Sequence, residues 1–229
     1  MNFKLKNFNL KIKKEKLLIL AIFTVLGFIA LQIPINKLAG SKVSFTMFDL
    51  FAPIAGAFLG TWIGIFSVFA MQVANLAMHG AANIDKSSLI RLIPTLFGVW
   101  FFARKEGKLL IIPALAIISF NLNEVGRGVW YYSLFWLIPY IVWPLREKSL
   151  VARSLGATFT AHAVGGAIWI WVVPLPGAVW TALIPVVAME RGIFALGMSA
   201  SYILMNNVLA YLSAKKLLPS SIGFDKKYL

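Results

Sequence analysis

The sequence has no cysteine, only two histidines and only eight acids among its 229 residues. Without cysteine there is no disulfide framework, no thiol chemistry and no thiolate metal site. The two imidazoles, His79 and His162, fall short of the three protein ligands a catalytic zinc ordinarily takes, so no metal is expected. No Gly-x4-Gly-Lys-Ser/Thr stretch occurs, so this chain carries no phosphate-cradling loop of that kind for ATP. Charge is scarce too, at 13% of residues, and no polar stretch is long enough to fold as a separate soluble domain. One integral-membrane domain over 1–229 is therefore expected, with 1–16 as a basic tail and no cofactor.

What fills the sequence is hydrocarbon. Sixty per cent of residues are hydrophobic, and apolar runs near the ~20 residues that cross a bilayer recur along the chain. The expected fold is all-α, a polytopic transmembrane bundle of six to eight spans in the cell membrane. The formal charge of +14 would suit nucleic acid, but the basic residues sit in short clusters between apolar runs. Cytoplasmic loops are enriched in Lys and Arg, so these clusters read as topology signals, with no nucleic-acid partner. Six lysines precede Leu17, and a consistent threading puts 16 of the 22 basic residues inside, with both termini cytoplasmic.

In that threading 17–35 is a retained first helix, since no small-residue cleavage pattern follows it closely. Residues 36–42 lie outside. The apolar run 46–79 would measure about 50 Å as one helix, too long for the ~30 Å hydrocarbon core, so it should be two helices turning near Leu59-Gly60-Thr61-Trp62. The span 89–103 follows, then a hairpin of 109–120 and 129–144 with 121–128 outside. Residues 155–173 lead out to the turn 174–177. A short element at 177–189 in the outer leaflet and a returning helix at 192–212 complete about eight crossings.

Two stripes of small residues stand out. Ala21, Thr24, Gly27 and Ala30 lie along the first helix, and Ala52, Gly56, Gly60 and Gly64 recur at every fourth position. Small residues allow the close backbone approach that holds helices together in lipid. The plainer reading is packing inside the bundle. The sharper one is a docking face for another subunit at Ala21, Gly27, Ala30, Gly56, Gly60 and Gly64. A turn at Gly60 conflicts with a single helical face.

Polar residues inside apolar runs are costly and mark function by default. Asp49 and Arg91 each open an apolar run, Glu124 and Arg127 share the loop NLNEVGRG, and Glu190-Arg191 interrupts the last stretch. His162 lies within FTAHAVGGAIW, and Asn75 and His79 end the long run. Nearly all fall in the outer half of the threading. Each alone could be a structural ion pair or a snorkelling side chain. Together Asn75, Arg91, Glu124, Arg127, His162, Trp169, Glu190 and Arg191 suggest a small-molecule pocket, which Trp130, Trp169, Trp171 and Trp180 could wall.

Residues 44–64, SFTMFDLFAPIAGAFLGTWIG, resemble the second-to-third helix region of the substrate-binding membrane subunits (S components) of energy-coupling factor transporters. That family has a polar residue opening a short helix, a Pro-x-x-Gly segment and a Leu/Phe-Gly-Pro-Trp-x-Gly turn, with Thr61 here in place of the proline. The lysine-rich start and the closing helix are compatible, while 109–144 would add a hairpin to the family's usual six helices. The resemblance implies a high-affinity binder of a vitamin-like small molecule. It also implies a transmembrane coupling subunit and two cytoplasmic ATPases as partners.

Two other classes compete with it. Intramembrane proteases of the CAAX type pair two glutamates with an arginine and later histidines; here only one acid, Glu124, precedes Arg127, one residue short of that spacing, and Phe159-Thr-Ala-His162 is likewise one short. GMSA at 197–200 faintly resembles the rhomboid serine motif, but His162 precedes Ser199, the reverse of that order. The third class is a non-catalytic structural membrane protein.

Overall fold

The long apolar run breaks where glycine permits it. A computed structural model of the chain describes residues 14–41, 44–78, 85–218 and 224–229. Within it Met47–Phe51 (α2), a 3-10 turn at Ala52–Ile54 and Ala55–Leu59 (α3) end at Gly60, and Thr61–Met78 (α4) follows. Gly60 has φ +86°, a conformation that L side chains adopt only at a cost. The chain folds back there, and a Cβ on Gly64 would lie 2.8 Å from the Gly56 backbone nitrogen. The regular glycine spacing is thus no helical stripe. Gly60 makes the turn, and Gly56 and Gly64 let the two arms touch backbone to backbone.

That packing corrects the docking assignment. Gly56 is also buried against Val99 and Ala103, with a built Cβ 2.6 Å from the Ala103 Cβ. Gly27 is buried on Lys14–Leu31 (α1), where a Cβ would meet the Met71 sulfur at 2.7 Å, and Ala30 is buried as well. These residues face other helices of the same bundle. Ala21 and Gly60 are the exposed members of the set.

The first helix is shorter than the expected 17–35, because Pro34–Lys37 (β1) pairs antiparallel with Ser44–Thr46 (β2). This small hairpin covers one end of the bundle. Lys86–Arg91 (α5), capped by Asp85, and Pro94–Ala103 (α6) form the next passage, separated by two turn residues before Pro94. A 3-10 turn at Gly107–Leu110 leads into Ile111–Leu122 (α7). The chain turns through Glu124–Gly128 (α8) and returns by a 3-10 segment Trp130–Leu137, Ile138–Val142 (α9) and Trp143–Leu145. Asn121 bonds Ser133 near the turn and Tyr140 bonds the Leu110 carbonyl at the other end, so this hairpin is antiparallel as expected.

Leu150–Val172 (α10) packs between α6, α7 and Gly177–Ala214 (α11). The last helix is one element of 38 residues, not a short piece plus a returning helix. At 1.5 Å per residue it is about 57 Å long. It runs through Pro185 and Glu190-Arg191, where the two charges are buried and paired with each other. One end of α11 packs in a cluster with Phe120, Tyr132, Trp136, Phe159 and Trp169 through Trp180 and Val187. The other joins Phe23, Phe48, Phe101 and Phe102 through Met198, Tyr202 and Leu209.

Among the described residues three helices, α4, α10 and α11, are long and apolar enough to cross a membrane. Large hydrophobics such as Phe66, Met78, Ile141 and Leu204 are exposed on the outer surface of the helices. That arrangement suits lipid and would be costly in water. Tail lysines Lys4, Lys6, Lys11 and Lys13, together with Lys42 and His79, lie outside the described residues.

Candidate functional site

Beneath the hairpin lies a cavity of about 110 Å³, bounded by β2, α2, α5, α6, α10 and α11. Arg91, His162, Trp169 and Arg191, expected from sequence to share a pocket, all line it. Phe45, Asp49, Thr95, Tyr132 and Trp180 complete its polar and aromatic wall.

The two arginines are built alike. Arg91 Nη2 donates to both Asp49 oxygens, at 3.1 and 2.9 Å, and Nη1 donates to the Ser44 carbonyl. Asp49 also accepts from the Thr46 N–H at 2.8 Å, which caps α2 and ties the hairpin to it. Arg191 pairs with Glu190, whose other oxygen accepts from Asn36 on β1. Both guanidiniums then lie over the Phe45 ring, at 4.8 and 4.7 Å from its centroid. One aromatic side chain of β2 is therefore held by two desolvated cations, each with its own carboxylate.

His162 is wedged among aromatic rings. Its Nδ1 accepts from Trp136 Nε1 at 3.0 Å, and its Nε2 lies 3.1 Å from the Tyr132 hydroxyl. Trp169 and Trp180 wall the cavity, whereas Trp130 and Trp171 are exposed, as interfacial tryptophans are, with Trp171 donating to Ser119.

Four expected members are elsewhere. Glu124 and Arg127 are exposed on α8 and form no ion pair with each other. Asn123 caps that short helix so that Gly126 is its inward face, which leaves the two charges outward. Asn75 accepts from Gln32 at 3.0 Å, linking α4 to the chain just after α1, and does not line the cavity. Glu190 stands behind the wall as the partner of Arg191 and Asn36. The protease constellation is likewise dispersed. Ser199 bonds Ser154 and the Ala195 carbonyl, while both His162 nitrogens are engaged by Trp136 and Tyr132. Among the described residues no group of three His, Cys, Asp or Glu side chains could hold a metal.

At the opposite end the basic residues terminate a helix. Arg146 Nη2 donates to the Phe101 carbonyl at 2.9 Å, and Arg153 Nε donates to that of Phe102 at 2.7 Å. These are orphan carbonyls of the last turn of α6, where the helix dipole also favours cations. Glu147, nearby, takes Lys105 as an ion-pair partner. Burial pushes the Glu147 carboxyl up, but the Lys105 hydrogen bond and the charges of Lys105, Arg146 and Arg153 outweigh it and hold it below its ordinary value.

No family model, curated protein or solved structure matches the chain.

Proposed function

We propose that this protein is the membrane-embedded, high-affinity binding subunit of an uptake system for a vitamin or similar micronutrient. The observation that carries the proposal is the placement of the cavity. Arg91, His162, Trp169 and Arg191 converge at the end of the bundle opposite the basic loops of Arg104–Lys108 and Arg146–Arg153. If the basic end is cytoplasmic, the cavity faces outward, as a scavenging binder requires. The bias of basic residues supports both termini inside and a multi-pass arrangement in the cell membrane. The resemblance of 44–64 to S components supports a transmembrane coupling subunit and two cytoplasmic ATPases as partners. Such a coupling subunit would have to meet residues other than Gly27, Gly56 and Gly64, which pack internally.

The test is ligand-induced thermal stabilisation of the purified protein across a panel of water-soluble vitamins, repeated with Glu190→Gln and His162→Ala. The expected result is stabilisation by one compound, weakened in variants that remain folded. Cleavage of a membrane peptide, with no stabilising small molecule, would overturn the proposal in favour of an intramembrane protease.

A further inference from the structure

The polar side chains around the cavity include acceptors already used and donors not yet used. Both Asp49 oxygens accept from Arg91, and one also takes the Thr46 N–H. Both Glu190 oxygens are taken, by Arg191 and Asn36. By contrast, Trp180 Nε1–H and Arg191 Nε–H are buried with no hydrogen-bond partner, on lining residues only 2% and 4% exposed. Native structures rarely leave buried donors unmade, and these two belong to residues that line one cavity.

A third donor follows from the relay through His162. An indole N–H can only donate, so the His162 Nδ1 that receives Trp136 carries no proton. The neutral ring's hydrogen is then on Nε2, which donates to the Tyr132 hydroxyl. That oxygen has become an acceptor toward His162, so its own hydrogen is free for another group. Tyr132 lines the cavity, and Thr95 is the lining hydroxyl able to act either way.

We propose that the cavity selects a small single-ring molecule through a carboxylate or carbonyl acceptor, bound by Trp180, Arg191 and Tyr132. The inference rests on the cavity being the ligand site. Its size agrees, since about 110 Å³ approaches the roughly 150 Å³ of an engineered cavity that takes benzene. Phe45, Trp169 and Trp180 offer ring faces, and the wall holds no unpaired carboxylate for a cationic ligand. His162 acts through Tyr132 by fixing which way that hydroxyl donates.

Calorimetric titration of the purified protein with benzoate, benzamide and benzylamine at pH 7 tests this. The three probes share a ring but differ in charge and hydrogen-bond polarity. Benzoate and benzamide are expected to bind, with benzylamine at least about tenfold weaker. Trp180→Phe keeps one aromatic ring and removes the indole N–H together with the second ring. It should weaken benzoate about tenfold, with a lower ligand-free Tm from the ring volume lost beside Phe120 and Tyr132. Tyr132→Phe should weaken benzoate by a similar factor. His162→Ala should narrow the ratio of benzoate to benzylamine affinity, which a purely structural histidine would leave unchanged.

Benzylamine binding as tightly as benzoate would overturn the acceptor proposal and leave the binding-site reading intact. Binding of only a larger vitamin, or unchanged benzoate affinity in folded Trp180→Phe and Tyr132→Phe, would overturn it equally. Binding by no probe and no vitamin would overturn the site itself.

Discussion

The two ends of the bundle spend positive charge in opposite ways. At the hairpin end Arg91 and Arg191 are desolvated, each matched by one carboxylate, and both are held over Phe45. At the other end lysines outnumber acids, and the ion pairs are open to water, with Lys105 73% and Lys108 75% exposed. Where Arg146 is buried there, it serves a helix terminus and not a cavity. Buried pairs fix geometry and are expensive to break, whereas exposed pairs are screened and weak. One end is therefore built for shape, the other for orientation.

The most complete test of that contrast is all-or-none. Because the chain has no cysteine, Arg127→Cys and Lys148→Cys can each be probed with an impermeant thiol reagent on intact cells. Arg127→Cys should label fully and Lys148→Cys only after permeabilisation. The reverse pattern would exchange the roles of the two ends.

Next in size is the cost of breaking a pair. Asp49→Asn leaves Arg91 desolvated and unmatched and should cost about 3 kcal/mol in denaturant unfolding in detergent. Lys105→Ala, at the exposed end, should cost less than about 1 kcal/mol. Equal losses would show that burial is not what separates the ends.

Packing gives a third contrast. Gly56→Ala forces a Cβ to 2.8 Å from the Val99 carbonyl and should cost about 1–3 kcal/mol. Gly192→Ala, in α11 near the cavity, meets nothing within 4 Å and should be neutral or stabilising by up to about 1 kcal/mol. Matching melting temperatures for the two variants would contradict the close crossing at Gly56.

The smallest effect is a response to acid. The Glu147 carboxyl is held below its ordinary 4.5 in the folded chain, so its contribution is present above that value and is lost as pH falls through the lower, folded one. With 46% of the side chain exposed, solvent screening keeps the contribution under about 1 kcal/mol. Glu147→Gln should make unfolding slightly less acid-sensitive below about pH 4.5, measured against wild type.

Much of this architecture is readable from the chain because its signals are local. Gly60 between two apolar arms announces a turn, whereas the expected span 89–103 is broken just before Pro94. The hairpin is not readable, since strands of four and three residues in PINK and SFT carry no usable alternation. Helix α11 looks interrupted at Glu190-Arg191, because a sequence does not display the Asn36 and Glu190 contacts that bury the pair. For the site, the cost of burying charge singles out Arg91, His162 and Arg191, and likewise marks Asp49. The same rule misplaces Glu124 and Arg127, whose helix turns them outward. Tyr132 and Phe45 have no local signal, since an aromatic residue in an apolar run reads as ordinary core.

The unbroken length of α11 has a mechanical consequence. Its internal proline, Pro185, lies on the far side of Arg191 from the basic end, and the helix continues without another proline to Ala214. On that stretch Asn206 grips the chain terminus, donating to the Asp225 carbonyl and accepting from its N–H. Fifteen residues separate Arg191 from Asn206, about 22 Å of helix. A rod of that stiffness has no proline joint in which to absorb a tilt. A tilt of α11 at Arg191 would therefore carry to Asn206 and the segment it holds at the opposite end of the bundle.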